Sequence, residues 1–117
     1  MILYGIPNCD TVKKARAWLD QQGAVYTFHD YRRQGVDPDR LARWAGTLGW
    51  EALFNRRGTT FRKLDPAETE GLDEARALRL MAEQPSMIRR PVVEHDGAEG
   101  AGLLIGFDQA EWERVLV

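Results

Sequence analysis

Residues 2–31 read ILYGIPNCDTVKKARAWLDQQGAVYTFHDY and predict a β-α-β unit. The apolar run over residues 2–6 is typical of a buried strand, and the proline that follows ends it. Asn8 is a favourable N-cap for a helix over about residues 9–22, whose apolar residues recur at helical spacing until a glycine supplies the stop. Residues 25–31 are rich in β-branched and aromatic side chains, which favour a second strand. The crossover between the two strands should be right-handed, and the strands should be parallel.

The middle of the chain, roughly residues 36–84, has a helical pattern. Pro38 opens one stretch and Asp73 opens another, and each continues with apolar residues on one face. Between them residues 55–60, NRRGTT, show no periodicity and are expected to form a loop. This part of the chain is therefore predicted to be a helical insert.

The last part of the chain predicts a hairpin and a final helix. Residues 91–95 and 103–106 are the expected strands, and Asp96-Gly97 is a turn signal in a somewhat long connection between them. Asp108 is expected to cap the final helix. The predicted order is β-α-β, helical insert, β-β-α, which is an α/β fold. A chain of 117 residues has room for one core, so residues 1–117 are expected to form a single domain.

Charge and composition exclude several classes of function. A net charge of -2 gives no general attraction to nucleic acid, so direct nucleic-acid binding is not expected. The apolar runs are far shorter than the roughly 20 residues that a membrane span needs. The first residues lack the basic segment of a secretory signal. We therefore expect a cytoplasmic protein that has no membrane contact.

The chain contains one cysteine, Cys9. A single thiol excludes an internal disulfide, a CxxC redox pair and a zinc site built on several thiolates, and no metal is expected. Cys9 stands where the first strand passes into the first helix, and the free N–H groups and dipole at a helix N-terminus favour a thiolate. Its polar neighbours favour a reactive cysteine over a buried inert one, although the Asp10 carboxylate opposes ionisation slightly. Cys9 is therefore the candidate nucleophile, and any second thiol must come from another molecule.

The segment YGIPNCDTVKKA, residues 4–15, resembles the active-site segment of the arsenate-reductase-like (ArsC/Spx) family. Within that family the pattern is nearest to the YffB proteins, because further matching motifs follow in the same order along nearly the whole chain. These are HDYR at 29–32, LGWEAL at 48–53, RGTTFRKL at 57–64, IRRP at 88–91 and GF at 106–107. The resemblance implies a thioredoxin-like fold with a helical insert, which agrees with the predicted order of elements.

The resemblance also implies which residues accompany Cys9. Pro91 stands where this fold has a cis proline that faces the cysteine. Arg90 matches an arginine that holds an oxyanion or a glutathione carboxylate, and Arg57 lies in a loop pattern of the YffB proteins. Both side chains suit two-pronged carboxylate recognition, although either could instead be an exposed surface charge.

Several neighbouring residues carry weaker expectations. Asn8 and Thr11 are included in the predicted glutathione-binding site, and the Thr11 hydroxyl could donate to the thiolate or merely help to start the helix. Arg56 and Arg89 are expected to point away from the site. His29 is expected to be structural or exposed rather than a general base. The tryptophans are expected to be packing anchors, namely Trp18, Trp44, Trp50 and Trp112.

The family implies a glutathione-dependent thiol-disulfide reductase. Cys9 would attack an oxidised small molecule or protein thiol, and glutathione or a glutaredoxin would supply the resolving thiol. Glutathione would act as a co-substrate, and no tightly bound cofactor is expected. The alternative is a regulator similar to Spx, which binds RNA polymerase without enzymatic turnover, and a further alternative is an arsenate reductase.

Departures from the family pattern bear on these alternatives. Arsenate reductases have a further arginine where this chain has Gly106, and their loop arginine falls nearer Asn55 than Arg57, so arsenate is a doubtful substrate. Many Spx regulators carry a CxxC switch, and this chain has Val12 at its fourth position. A redox switch of that kind is therefore excluded.

Overall fold

The computed structural model describes residues 1–97 and 100–117. The chain folds into two compact units. The first unit comprises Met1–Gln34 and Arg90–Val117, and the second comprises Gly35–Arg89. The second unit corresponds to the predicted helical insert. That both units belong to one domain stays a prediction. In chain order the elements are β1 (Ile2–Gly5), α1 (Asp10–Gln21), β2 (Thr27–Asp30), α2 (Tyr31–Gln34), α3 (Pro38–Leu48), α4 (Trp50–Leu53), α5 (Thr59–Arg62), α6 (Pro66–Thr69), α7 (Glu74–Glu83), a 3-10 turn (Pro85–Met87), β3 (Val92–Gly97), β4 (Gly100–Ile105) and α8 (Gln109–Leu116).

The first unit is built on a four-stranded sheet in the order β2-β1-β3-β4. β1 and β2 are parallel, whereas β3 is antiparallel to both β1 and β4. The predicted order of elements is therefore confirmed, including the parallel β-α-β unit. Side chains from α1, α8 and the sheet form one buried cluster: Leu3, Val12, Ala15, Trp18, Leu19, Val93, Leu104 and Trp112.

The second unit is helical, as the sequence predicts. The Asp37 side chain accepts a hydrogen bond from the Asp39 N–H at 2.9 Å and caps α3, whose first residue is Pro38. Asp73 caps α7 in the same manner through the Arg76 N–H. The helices α3 and α7 pack against each other, which buries Leu41, Trp44, Ala45, Ala77, Leu80 and Met81 within the protein. Expected loop residues Thr59 and Thr60 instead begin the short helix α5.

Two boundaries in the first unit differ from the sequence prediction. The second strand spans only Thr27–Asp30, and Tyr31 already begins α2. The turn signal Asp96-Gly97 lies within β3, because these residues pair with Ala101 and Gly100 of β4. The predicted connection between the two strands includes residues 98–99, which lie outside the described residues. Asp108 does cap α8, since its side chain accepts from the Glu111 N–H at 3.3 Å.

The N-terminus of α1 also differs from the prediction, because Cys9 rather than Asn8 is the N-cap residue. Cys9 has an extended backbone, with φ -112° and ψ 125°, and its carbonyl accepts the first helical hydrogen bond from the Lys13 N–H at 2.9 Å. Pro7 and Asn8 form the turn that precedes it. The helix therefore begins one residue later than expected, and the cysteine itself occupies the capping position.

Candidate functional site

Three strand ends of the first unit meet at one edge of the sheet. Cys9 follows the end of β1, and Tyr31 follows the end of β2, the parallel neighbour whose Asp30 pairs with Gly5. Arg90 precedes β3, which is antiparallel to β1 and begins opposite its end, where Val92 pairs with Tyr4. Strand direction alone therefore brings the thiol, the phenol and the guanidinium to the same edge.

Cys9 is half-buried at the N-terminus of α1. Its side chain does not form a standard N-cap hydrogen bond. The backbone N–H groups of Val12 and Thr11 nevertheless interact with the sulfur and stabilise its thiolate form. Burial raises the pKa of the Cys9 thiol, whereas the Val12 N–H, a hydrogen bond from Arg90 and the Thr11 N–H lower it. The lowering contributions prevail, so the pKa of Cys9 lies below its usual value.

Arg90 is the cation of this site. Its guanidinium hydrogen-bonds both the Cys9 sulfur and the Tyr31 hydroxyl. Burial lowers the pKa of Arg90, but the charge interaction with Tyr31 and the two hydrogen bonds raise it above its usual value. Arg90 is therefore protonated at any physiological pH, as arginine is in general. The peptide bond from Arg90 to Pro91 is cis, which the resemblance implied.

Tyr31 is a member of this site that the sequence analysis missed. Its side chain is fully buried, and burial raises the pKa of its phenol to about 12, although the Arg90 charge and hydrogen bond lower it. The phenol is therefore neutral across the physiological range. The signal available in the sequence was its position directly after a predicted parallel strand, within the HDYR motif.

The structure places the other predicted residues of the first unit around this edge. Thr11 acts on the Cys9 sulfur through its backbone N–H, and a contact of its hydroxyl with the thiol stays a prediction. Asn8 is exposed in the turn before Cys9. His29 lies in β2 with its ring centroid 4.8 Å from that of Tyr4, in agreement with a structural role. Roles for Asn8 and Pro91 in ligand binding stay predictions.

Arg57 lies in the second unit, where it lines a cleft of about 210 Å³. Arg56 lines the same cleft as its neighbour Arg57, contrary to the expectation that it points elsewhere. Arg89 also lines this cleft, whereas its neighbour Arg90 acts on Cys9. Asn55 orders the loop because its side chain accepts from the Arg57 N–H at 3.0 Å. The remaining lining residues are Glu51 and Phe54. Because three arginines and one glutamate line this cleft, its lining carries a net positive charge, which suits an anion.

The tryptophans are packing residues, as expected. Trp18, Trp44 and Trp112 are buried, and Trp50 is half-buried with its ring 6.3 Å from that of Phe54. Across residues 1–97 and 100–117, no cluster of His, Cys, Asp or Glu side chains is arranged to hold a metal ion. No helix among those residues has the length and apolar character needed to cross a bilayer.

The family model of the ArsC family matches residues 4–115 of the chain. The chain belongs to the ArsC family. Its fold is accordingly thioredoxin-like with a helical insert, as the resemblance implied. Among curated relatives, a protein of Haemophilus influenzae described as uncharacterized is 42% identical over 111 residues, which cover 95% of this chain and 94% of the relative. The global transcriptional regulator Spx of Streptococcus mutans is 28% identical over 111 residues, covering 93% of this chain and 77% of the relative.

Solved structures of ArsC-family relatives agree with this assignment. The YFFB (PA3664) protein is 50% identical, superposes with a TM-score of 0.92, and the match covers 99% of this chain and 98% of the other. An arsenate reductase (ArsC) related protein from Brucella melitensis is also 50% identical, with a TM-score of 0.74 over 97% of this chain and 91% of the other. The likeness to the YFFB protein confirms the resemblance inferred from the motifs.

Proposed function

We propose that this protein is a glutathione-dependent thiol-disulfide reductase that uses Cys9 as its nucleophile. The observation that carries the proposal is the Cys9 sulfur at the N-terminus of α1, hydrogen-bonded by the Arg90 guanidinium. A thiolate is the attacking species in disulfide exchange, and an adjacent cation at a helix N-terminus favours it. Membership of the ArsC family, with its arsenate-reductase-related members, supports a reductase.

The reaction balances without a second cysteine in the chain. The Cys9 thiolate attacks the glutathione sulfur of a mixed disulfide RSSG, forms Cys9–S–S–G and releases RS⁻, which takes up a proton. A glutathione thiolate then attacks the glutathione sulfur of this intermediate, forms GSSG and regenerates the Cys9 thiolate. The sum is RSSG + GSH → RSH + GSSG, in which RSSG is reduced and glutathione is oxidised. A glutaredoxin thiol could replace glutathione in the second step.

The charged residues would hold the carboxylates of glutathione. Arg90 lies beside the attacking sulfur, and its planar guanidinium suits a two-pronged carboxylate contact. Arg57 would hold a second carboxylate, and Thr11, Asn8 and Pro91 would complete the binding surface. Glutathione acts as a co-substrate here, and the proposal requires no tightly bound cofactor.

Turnover of a small glutathione mixed disulfide tests this proposal. The wild type should reduce it at a rate that depends on both glutathione and Cys9, and Cys9→Ser should abolish the reaction. Parallel assays with and without a glutaredoxin identify the resolving thiol. A folded wild type that shows no Cys9-dependent turnover in either assay would contradict a reductase.

Arsenate is expected to be a poor substrate. Gly106 stands where arsenate reductases have a further arginine, so a small tetrahedral anion would lose one charge-assisted hydrogen bond, worth about 1.5 to 3 kcal/mol. Glutathione-coupled arsenate reduction by the purified protein should therefore be slow. Efficient turnover would show that Gly106 does not limit the reaction.

The similarity to the regulator Spx favours one second candidate, a non-enzymatic protein that binds RNA polymerase. Retention of this chain by purified RNA polymerase, equally in wild type and Cys9→Ser, would support that function. Failure of retention together with Cys9-dependent turnover would favour the reductase.

A further inference from the structure

The buried phenol of Tyr31 has a charged hydrogen-bond partner at the candidate site. Tyr31 is fully buried, and a buried tyrosine hydroxyl must find a hydrogen-bond partner. Its partner is the guanidinium of Arg90, which also hydrogen-bonds the Cys9 sulfur. The same cation is thus held from one side by the phenol while it contacts the thiol.

The position of Tyr31 in the fold fixes this arrangement. Tyr31 is the first residue of α2 and directly follows β2, whose last residue Asp30 pairs with Gly5 near the start of the Cys9 turn. Arg90 stands on the segment that enters β3, on the other side of β1 in the sheet. The chain therefore brings the phenol and the guanidinium to the thiol from two different elements.

We propose that Tyr31 is a positioning residue, whose hydroxyl anchors the Arg90 guanidinium and keeps it directed at the Cys9 sulfur. The role deepens the proposed thiol chemistry and rests on it, because positioning matters only if Cys9 reacts. An arginine has a long, mobile side chain, and its charge stabilises a thiolate only while its N–H groups stay directed at the sulfur. The neutral phenol accepts an N–H from Arg90 without competing as an anion.

The variant Tyr31→Phe removes only this hydroxyl. The pKa of Cys9, read from thiolate absorbance against pH, should rise by about 0.5 to 1, because the guanidinium is no longer fixed. The rate of Cys9 alkylation against pH should shift in the same direction. Besides Arg90, the Tyr31 phenol has charge interactions with Cys9 and Arg32. Neither of these residues is replaced in Tyr31→Phe.

Tyr26 provides a matched control within the chain. Its hydroxyl accepts a hydrogen bond from Arg16 Nε at 3.1 Å, so Tyr26→Phe also removes a phenol from an arginine partner. This pair does not involve Cys9 or Arg90. Tyr26→Phe should leave the pKa of Cys9 at its wild-type value.

A double-mutant cycle separates positioning from a direct effect of the phenol. In an Arg90→Gln background, Tyr31→Phe should no longer change the pKa of Cys9, since Tyr31 acts through Arg90. Tyr31→Met, which also lacks the hydroxyl and fills an irregular core space, repeats the test if Tyr31→Phe folds poorly.

Three results would overturn the role of Tyr31: an unchanged or lowered pKa of Cys9 in a folded Tyr31→Phe variant, an equal shift in Tyr26→Phe, or a shift that persists in the Arg90→Gln background. None of these measurements involves glutathione. A wild type without turnover would therefore contradict the proposed function but would not affect the pKa result. An unchanged pKa of Cys9 in Tyr31→Phe would contradict the role of Tyr31 but would not affect the proposed function.

Discussion

Burial opposes the ionisation of Cys9, whereas backbone N–H groups and one guanidinium favour it. We predict a thiol pKa below the free value of about 8.5, because the Val12 N–H, Arg90 and the Thr11 N–H together outweigh the cost of burial. Arg90→Lys should raise this pKa, since lysine keeps the charge but not the planar fork. Thiolate absorbance followed against pH provides the measurement.

Arg89→Lys is the matched control for that substitution. Arg89 is the adjacent residue, but it is exposed and lines the cleft of the second unit. Its replacement should leave the pKa of Cys9 unchanged. If Arg89→Lys raised that pKa as much as Arg90→Lys, Arg90 would lose its assignment as the arginine of the site.

The raised pKa of Tyr31 predicts that the free energy of unfolding decreases at alkaline pH. Its pKa is about 12 in the folded protein and about 10 in the unfolded chain, so the folded state binds the phenolic proton more tightly. The corresponding stability, about 2 to 3 kcal/mol, is present below about pH 10 and is lost as pH rises through about 12. Denaturant unfolding across that window should therefore show a steeper loss in wild type than in Tyr31→Phe. Equal slopes in the two proteins would contradict this assignment.

Close contact between β1 and α1 sets the position of the helix that carries Cys9. A Cβ atom on Gly5 would lie 2.9 Å from Cγ2 of Val12, a stiff β-branched side chain that is fully buried. Gly5→Ala should therefore destabilise the protein by about 1 to 3 kcal/mol and shift the N-terminus of α1. The free energy of unfolding and the pKa of Cys9 are the two readouts.

Gly46 is the matched glycine for this comparison. It lies within α3, and a Cβ atom there would meet no atom within 4 Å. Gly46→Ala should stabilise the protein by about 0.5 to 1 kcal/mol, because alanine costs less backbone entropy in a helix. A destabilised Gly46→Ala variant, or a neutral Gly5→Ala variant, would show that local space does not govern these positions.

At the level of elements, hydrophobic periodicity predicted the order and type of the helices and strands better than it predicted where each of them begins and ends. The spacing of apolar residues gave the helices and the β-α-β unit, because burial of one helix face leaves a strong pattern. The Asp96-Gly97 signal misled, since pairing with β4 extends β3 through both residues. Local turn propensity is weak against a ladder of strand hydrogen bonds, so such errors fall at the ends of elements.

The candidate site was only partly predictable for a related reason. Cys9 and Arg90 stand out by residue type and motif, whereas Tyr31 is one of three tyrosines and its partner is 59 residues away in the sequence. The shared cleft of Arg57 and Arg89 likewise depends on tertiary structure, because the Arg89 N–H donates to the Leu53 carbonyl at 2.7 Å. No local pattern contains these contacts.

At the scale of the whole molecule, variants of the cleft lined by Arg57 and Arg89 test whether a second carboxylate of glutathione is held there. Arg57→Ala should weaken glutathione capture roughly tenfold to a hundredfold, the loss expected for one charge-assisted contact. Arg89→Ala should weaken it in the same direction, because both side chains line one cleft. Capture is measured as the equilibrium between Cys9 and glutathione disulfide.

Arg62→Ala is the control for those variants, since Arg62 is an exposed arginine of α5 outside the cleft lining. It should capture glutathione as the wild type does. If Arg57→Ala and Arg89→Ala were also indistinguishable from wild type, the second carboxylate contact would have to be assigned to another residue.

Intact-protein mass spectrometry after exposure to glutathione disulfide tests the reactivity of Cys9 most directly. The wild type should gain one glutathione and no more, because the chain has one thiol and no second cysteine to release it. Reduction should remove the adduct, and Cys9→Ser should gain nothing. A folded wild type that stays unmodified under conditions that modify a small free thiol would contradict the proposal that Cys9 is a glutathione-accepting nucleophile.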